Sequence, residues 1–155
     1  MLRALCGKNW EMKYTLLHNH DGQRTFLLVF STGDNLTEGI LSFAAEHQIR
    51  AAQLTAIGGL SEIKLAFFDW DTKEYNPIPV QEQVELVSLI GNISLHEGQP
   101  KLHAHVVIGK SDGSAWAGHL LEATVRPTVE LFLAQWPVEL HRVKDEDSGL
   151  PLLDI

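Results

Sequence analysis

The sequence predicts an α+β domain built on a mostly antiparallel β-sheet with one main helix. Three observations predict it. Seven or eight segments alternate or run apolar in the manner of strands, one stretch repeats its apolar residues at helical spacing, and short turns join most of the neighbouring segments.

Met12 to Leu17 and Arg24 to Phe30 are rich in β-formers. The intervening His18-Asn19-His20-Asp21-Gly22-Gln23 carries an Asp-Gly step, which predicts a hairpin. The helix follows. Asp34 or Asn35 can accept from the free N–H groups of its first turn, and Leu36, Ile40, Phe43, Ala44 and His47 share one face up to about Gln48. Ala51 to Ile57 reads as a strand ended by a tight turn at Gly58-Gly59, and Ile63, Leu65 and Phe67 belong to the next strand. Pro77 and Pro79 predict an extended loop. Gln83 to Leu95 is a long, mostly apolar strand, covered on both faces for much of its length. Leu102 to Ile108 and Ser114 to Leu121 form a second hairpin around Ser111-Asp112-Gly113, and Val129 to Trp136 is the last strand. The charged segment Lys144 to Ser148 marks residues 142–155 as a loosely held tail. No linker or repeat divides the chain, so residues 1–155 read as a single domain with its core at about 24–136.

The composition narrows the function classes. With 45% hydrophobic and 21% charged residues, the chain of 155 residues belongs to the globular class. Its only cysteine, Cys6, has no partner for an intrachain disulfide and no base assigned to it, which fits a reducing, cytoplasmic setting. Lys8 and Asn9 fall where a signal peptide needs an apolar run, and no stretch approaches the roughly 18 apolar residues of a membrane span, so neither export nor membrane insertion is expected. Twelve basic against twenty acidic residues give a net charge of −8, the wrong sign for a module that neutralises phosphates.

The residues that point to chemistry are His103, His105 and His119. Side chains on a strand alternate, so His103 and His105 project from one face and Ala104 and Val106 from the other. His119 lies in the partner strand. A register that pairs it with His103, or one that pairs it with His105, puts three imidazoles on one face, whereas a one-residue slip turns it away. Three imidazoles suit a divalent ion at about 2.0–2.1 Å with a fourth position open. Zinc is the expected metal, although nickel, iron and manganese accept the same donors. Glu122 and Glu130, near in sequence, are the weak candidates for orienting a histidine or moving a proton.

Each feature has a plainer explanation beside the functional one. Neutral histidines on a half-buried face often serve only as hydrogen-bonding groups. His18 and His20 share the two-residue spacing but read as solvated turn chemistry, and Gly58-Gly59 has no lysine or helix start after it to make an anion cradle. Phe67, Phe68 and Trp70 read as sheet packing, and Asp145-Glu146-Asp147 as a solvated face.

Five ordered segments carry a resemblance. They are Thr55-Ala56-Ile57-Gly58-Gly59-Leu60, Gln83 through Leu95, Lys101-Leu102-His103-Ala104-His105-Val106, Gly118-His119-Leu120-Leu121 and Pro127-Thr128-Val129-Glu130. Together they resemble the PPC (plants and prokaryotes conserved) domain family over about Arg24 to Trp136. The resemblance implies a homotrimer of stand-alone domains, some members of which carry a metal on the matching histidines. It also implies a fold related to that of α-acetolactate decarboxylase, an enzyme with a three-histidine zinc site, and so metal-assisted chemistry on a small oxo acid. The DNA-binding label common in the family comes from plant relatives with an Arg-Gly-Arg-Pro hook, and no such core occurs in this sequence. Plant members contact transcription factors through a Gly-Arg-Phe-Glu segment, and of the matching Glu82-Gln83-Val84-Glu85 only Glu85 agrees.

Three functions are therefore in view. The first is a trimeric, zinc-type metal-binding protein whose open position acts on or senses a small anionic ligand. The second is a protein–protein interaction scaffold with structural histidines. The third, direct DNA binding, is the one the charge and the missing hook disfavour.

Overall fold

The computed structural model describes residues 12–155; Cys6 lies outside them. The described chain forms β1 (Lys13–His20), β2 (Gln23–Ser31), α1 (Leu36–Glu46), β3 (Ala52–Asp69), β4 (Glu74–Val80), β5 (Val84–His96), β6 (Gln99–Gly109), β7 (Ala115–Gln135), β8 (His141–Lys144) and β9 (Pro151–Asp154). The nine strands make one sheet in the order β1-β2-β7-β3-β5-β8-β9, with β4 on β3 and β6 between β5 and β7. All pairings are antiparallel except β5 with β8. This is the predicted α+β class. The hydrogen-bonded circuit β3–β5–β6–β7 closes on itself, which removes free edges from the centre of the sheet.

The core lies on one side of the sheet, under the helix. Phe30, Leu54, Leu65, Leu86, Leu89 and Ile93 are fully buried there, joined by Leu36, Ile40 and Phe43 of α1. Asn35 caps α1, its Oδ1 accepting from the Glu38 N–H at 3.1 Å. At the other end Arg24 donates to the His47 carbonyl at 2.8 Å, one of the groups a helix leaves open. The β1–β2 turn falls at Asp21-Gly22 with φ of 48° and 79°, the positive pair of a tight hairpin.

Several sequence expectations need correction. His18 and His20 lie inside β1, opposite Thr25 and Gln23, and not in the turn. Gly58 and Gly59 do not end a strand; β3 runs through them with shifts of register. A Cβ at Gly58 would stand 2.7 Å from the Val129 Cα, so glycine allows β7 to press against the bend. Pro77 and Pro79 sit in β4, which among the described residues pairs only with β3 and can accommodate residues without an N–H. The two strands expected between residues 114 and 136 are one, β7, which stays on β3 while its second partner changes from β6 to β2. Phe67 and Trp70 are exposed rather than packed. The loosely held tail is a β8–β9 hairpin anchored by buried Arg142 and Ser148. None of the described helices is long and apolar enough to cross a membrane.

His47 closes the helix beside an aromatic cluster, with ring centroids 4.2 Å from Phe43, 4.9 Å from Tyr14 and 5.5 Å from Phe26. Its Nε2 is buried without a hydrogen-bond partner among the described residues. Burial pushes its pKa below the ordinary 6.5, aided by Arg24 and opposed by Glu46. The unfolded chain therefore takes up a proton that the fold resists, so this contribution to stability is complete above 6.5 and is lost as pH falls through the folded value. His47→Phe keeps the packing and removes the titration. Its melting temperature is expected to fall less than that of the wild type between about pH 7.5 and about pH 5, as followed by circular dichroism.

Candidate metal centre

The site grows from the alternation of β6. Ala104 and Val106 are 2% exposed and enter the core, which turns His103 and His105 to the outer face. On β7, Leu120 is buried at 6% exposure and His119 takes the opposite side. The β6–β7 register pairs His105 with His119, one of the two registers that bring all three imidazoles together. Their ligand nitrogens lie within 4.8 Å of one another. His103 Nε2 and His105 Nε2 are 3.3 Å apart, and the ring centroids are separated by 5.2, 5.3 and 5.6 Å. A tetrahedral ion with bonds of about 2.0–2.1 Å holds its ligand nitrogens about 3.3 Å apart. One pair already has that spacing, and the other ligand nitrogens lie within 4.8 Å.

Burial favours the neutral form of His103 and His119. His119 is pushed down to about 4, chiefly by desolvation and then by His103, His105 and Lys101. His103 is lowered by desolvation first, then by Arg142, His105 and Lys101. A neutral imidazole is the form that binds a metal. The Nδ1 of His119 is buried with no hydrogen-bond partner among the described residues, the kind of orphan that a ligand or ion relieves. The donor set therefore fits a divalent ion.

Neither carboxylate candidate joins the triad. Glu122 faces Lys64 across β3, with Nζ 3.4 Å from its Oε2, and Glu130 is an exposed residue opposite Val29 and Ile57. Two residues absent from the sequence reading flank the cluster instead. Tyr75, on β4, stacks on the His119 ring at 4.6 Å and 27°. Arg142, on β8, donates to Asn92 Oδ1 at 2.6 Å, and Asn92 stands directly opposite His103. No spacing rule links either residue to the histidines, because β4 and β8 reach the site only through the sheet order.

A closed antiparallel sheet with one helix and a surface-facing histidine triad defines a class of small α+β domains. The chain belongs to the Plants and Prokaryotes Conserved (PCC) domain family, whose profile matches residues 18–137. Among solved structures it is similar to a plant- and prokaryote-conserved protein from Pyrococcus horikoshii, at 33% identity and a TM-score of 0.80, covering 92% of this chain and 95% of that one. It is equally similar to a metal-containing protein from Archaeoglobus fulgidus, at 33% identity and a TM-score of 0.80, covering 96% and 100%. A protein from Bacteroides thetaiotaomicron, provisionally described as DNA binding, aligns at 30% identity and a TM-score of 0.84 over 91% and 96%. A Staphylococcus aureus protein described as similar to α-acetolactate decarboxylase shares the fold alone, at 11% identity and a TM-score of 0.54 over 72% and 52%. Among curated proteins, GlmU of Synechococcus is 27% identical over 113 residues, and the chain spans 17% of its length.

In the metal-free protein, the His119 ring is expected to stay neutral until the pH approaches 4. Imidazole proton NMR checks this; a His119 midpoint near 6.5, its ordinary value, would contradict the buried placement of the ring.

Proposed function

We propose that this chain is a trimeric metal-binding member of its family. In this reading His103, His105 and His119 hold one divalent ion, zinc by donor preference, and the remaining coordination position takes a small anionic ligand. The observation that carries it is three imidazoles whose ligand nitrogens lie within 4.8 Å on one face of the sheet. His105 is the exposed member, so the cluster opens outward. The metal-containing Archaeoglobus relative, matched over its whole length, supports the reading. A bound ion there would polarise a carbonyl or lower the pKa of a coordinated water.

Assembly is supported by the outer face beside the site. A cross-strand row runs Phe132–Thr55–Ile90–His105–His119. Phe132 is 48% exposed and Ile90 60%, with exposed Ile57 and Val87 nearby on the same strands. So much apolar surface around one row is what subunit contacts usually cover. The same surface would serve the scaffold reading, in which the histidines only shape the fold. Direct DNA binding has the charge of −8 against it.

Metal analysis after metal-supplemented preparation is expected to give close to one ion per chain, and His105→Ala to lose most of it with an unchanged circular dichroism spectrum. Less than about a tenth of an equivalent in the wild type would reject the metal reading and favour the scaffold. Sedimentation is expected to give three chain masses. Phe132→Asp should lower that mass, since it buries a charge at the contact, and a wild-type monomer would refute the trimer.

A further inference from the structure

Arg142 is the only buried basic side chain among the described residues, at 8% exposure. Its guanidinium donates from Nε to Ser94 Oγ at 2.7 Å, from Nη1 to the Pro151 carbonyl at 2.9 Å and from Nη2 to Asn92 Oδ1 at 2.6 Å. Every one of these acceptors is neutral. Among the described residues no carboxylate pairs with it. A guanidinium has five N–H groups, so one on Nη1 and one on Nη2 remain without a partner among the described residues. A buried charge without a counter-charge is costly, and structures seldom keep one unless something else compensates it.

Its placement indicates what compensates it. Asn92 and Ser94 stand opposite His103 and Lys101 in the β5–β6 register, so the guanidinium lies beside His103, on the face of the sheet that carries the triad. It is near enough to act electrostatically on both His103 and Tyr75. Tyr75 covers the other flank by stacking on His119. The triad contains no carboxylate. Three neutral imidazoles leave the full charge of a divalent ion in place, and Arg142 and Lys101 add to it. The centre is locally positive in a chain of net charge −8.

We propose that Arg142, with the Tyr75 hydroxyl, forms a binding site for the carboxylate of a small organic acid whose other polar end reaches the open coordination position. This deepens the proposed function and rests on it for the second contact. A carboxylate fits the paired N–H groups of a guanidinium fork. Phosphate fits less well, because its further oxygens would find neutral acceptors here and no second buried cation. The plain alternative is that Arg142 only ties the β8–β9 hairpin to β5.

The test uses the full-length, zinc-loaded protein with pyruvate as probe and pyruvamide as its uncharged counterpart. Arg142 Nε–Hε NMR follows the guanidinium directly, and metal content and sedimentation are measured on the same samples. Pyruvate is expected to shift the Arg142 resonance saturably and to bind about tenfold tighter than pyruvamide, the preference that a charge-assisted pair gives. Arg142→Gln should weaken pyruvate about tenfold with metal content and mass unchanged. Equal pyruvate affinity in wild type and Arg142→Gln, equal binding of pyruvate and pyruvamide, or tighter binding of inorganic phosphate would each overturn the proposal. If Arg142→Gln fails to fold, the wild-type titration decides alone, and an Arg142 resonance that does not move refutes it. Absence of zinc in the wild type would instead reject the metal reading, while the same titration on metal-free protein still tests the arginine.

Discussion

The site depends on the register between β6 and β7. His105 faces His119, and this pairing places three imidazoles on one side of the sheet. Slipping it by one residue would exchange His119 for Leu120, sending an imidazole into the core and a leucine to the surface. Burial on the far side opposes that slip, since Ala104, Val106 and Leu120 all contribute to the core cluster. Gly118 helps hold the strand, because a Cβ there would stand 2.9 Å from the Ala66 carbonyl oxygen, and its absence lets β7 lie close to β3. The chemistry of the outer face is thus fixed by packing on the inner one.

The electrostatics of the centre follow from what is missing. Many metal clusters include an acidic ligand that offsets the ion's charge, whereas this triad has none. Desolvation dominates the depressed pKa of His119, and the nearby positive groups add to it. His103 and His119 are thereby ready to donate lone pairs at neutral pH without first losing protons. The same positive surroundings would make any added cation look for an anion. The buried guanidinium of Arg142 lies beside His103, while His105 is the exposed member of the triad.

The position of the triad within the sheet ties the centre to the apolar outer face. The row that ends in His105 and His119 passes through Ile90, Thr55 and Phe132. Whatever covers those residues also borders the histidines. Any partner that covered this face would therefore also govern access to the histidines.

The sequence by itself determined the local features: a tight turn at Asp21-Gly22, a helix cap at Asp34 or Asn35, and the alternation that sets His103 and His105 apart from Ala104 and Val106. These rest on a few adjacent residues, whose preferences are local. It narrowed His119 to two useful registers without choosing between them. Tertiary structure chose His105 as its partner, joined two apparent strands into β7, and drew Gly58-Gly59 and the prolines of β4 into the sheet. It also removed Glu122 and Glu130 from the centre and brought in Tyr75 and Arg142, which no spacing connects to the histidines. The physical reason is that sheet order and strand register are decided by burial over long separations in the chain, where adjacent residues carry no information.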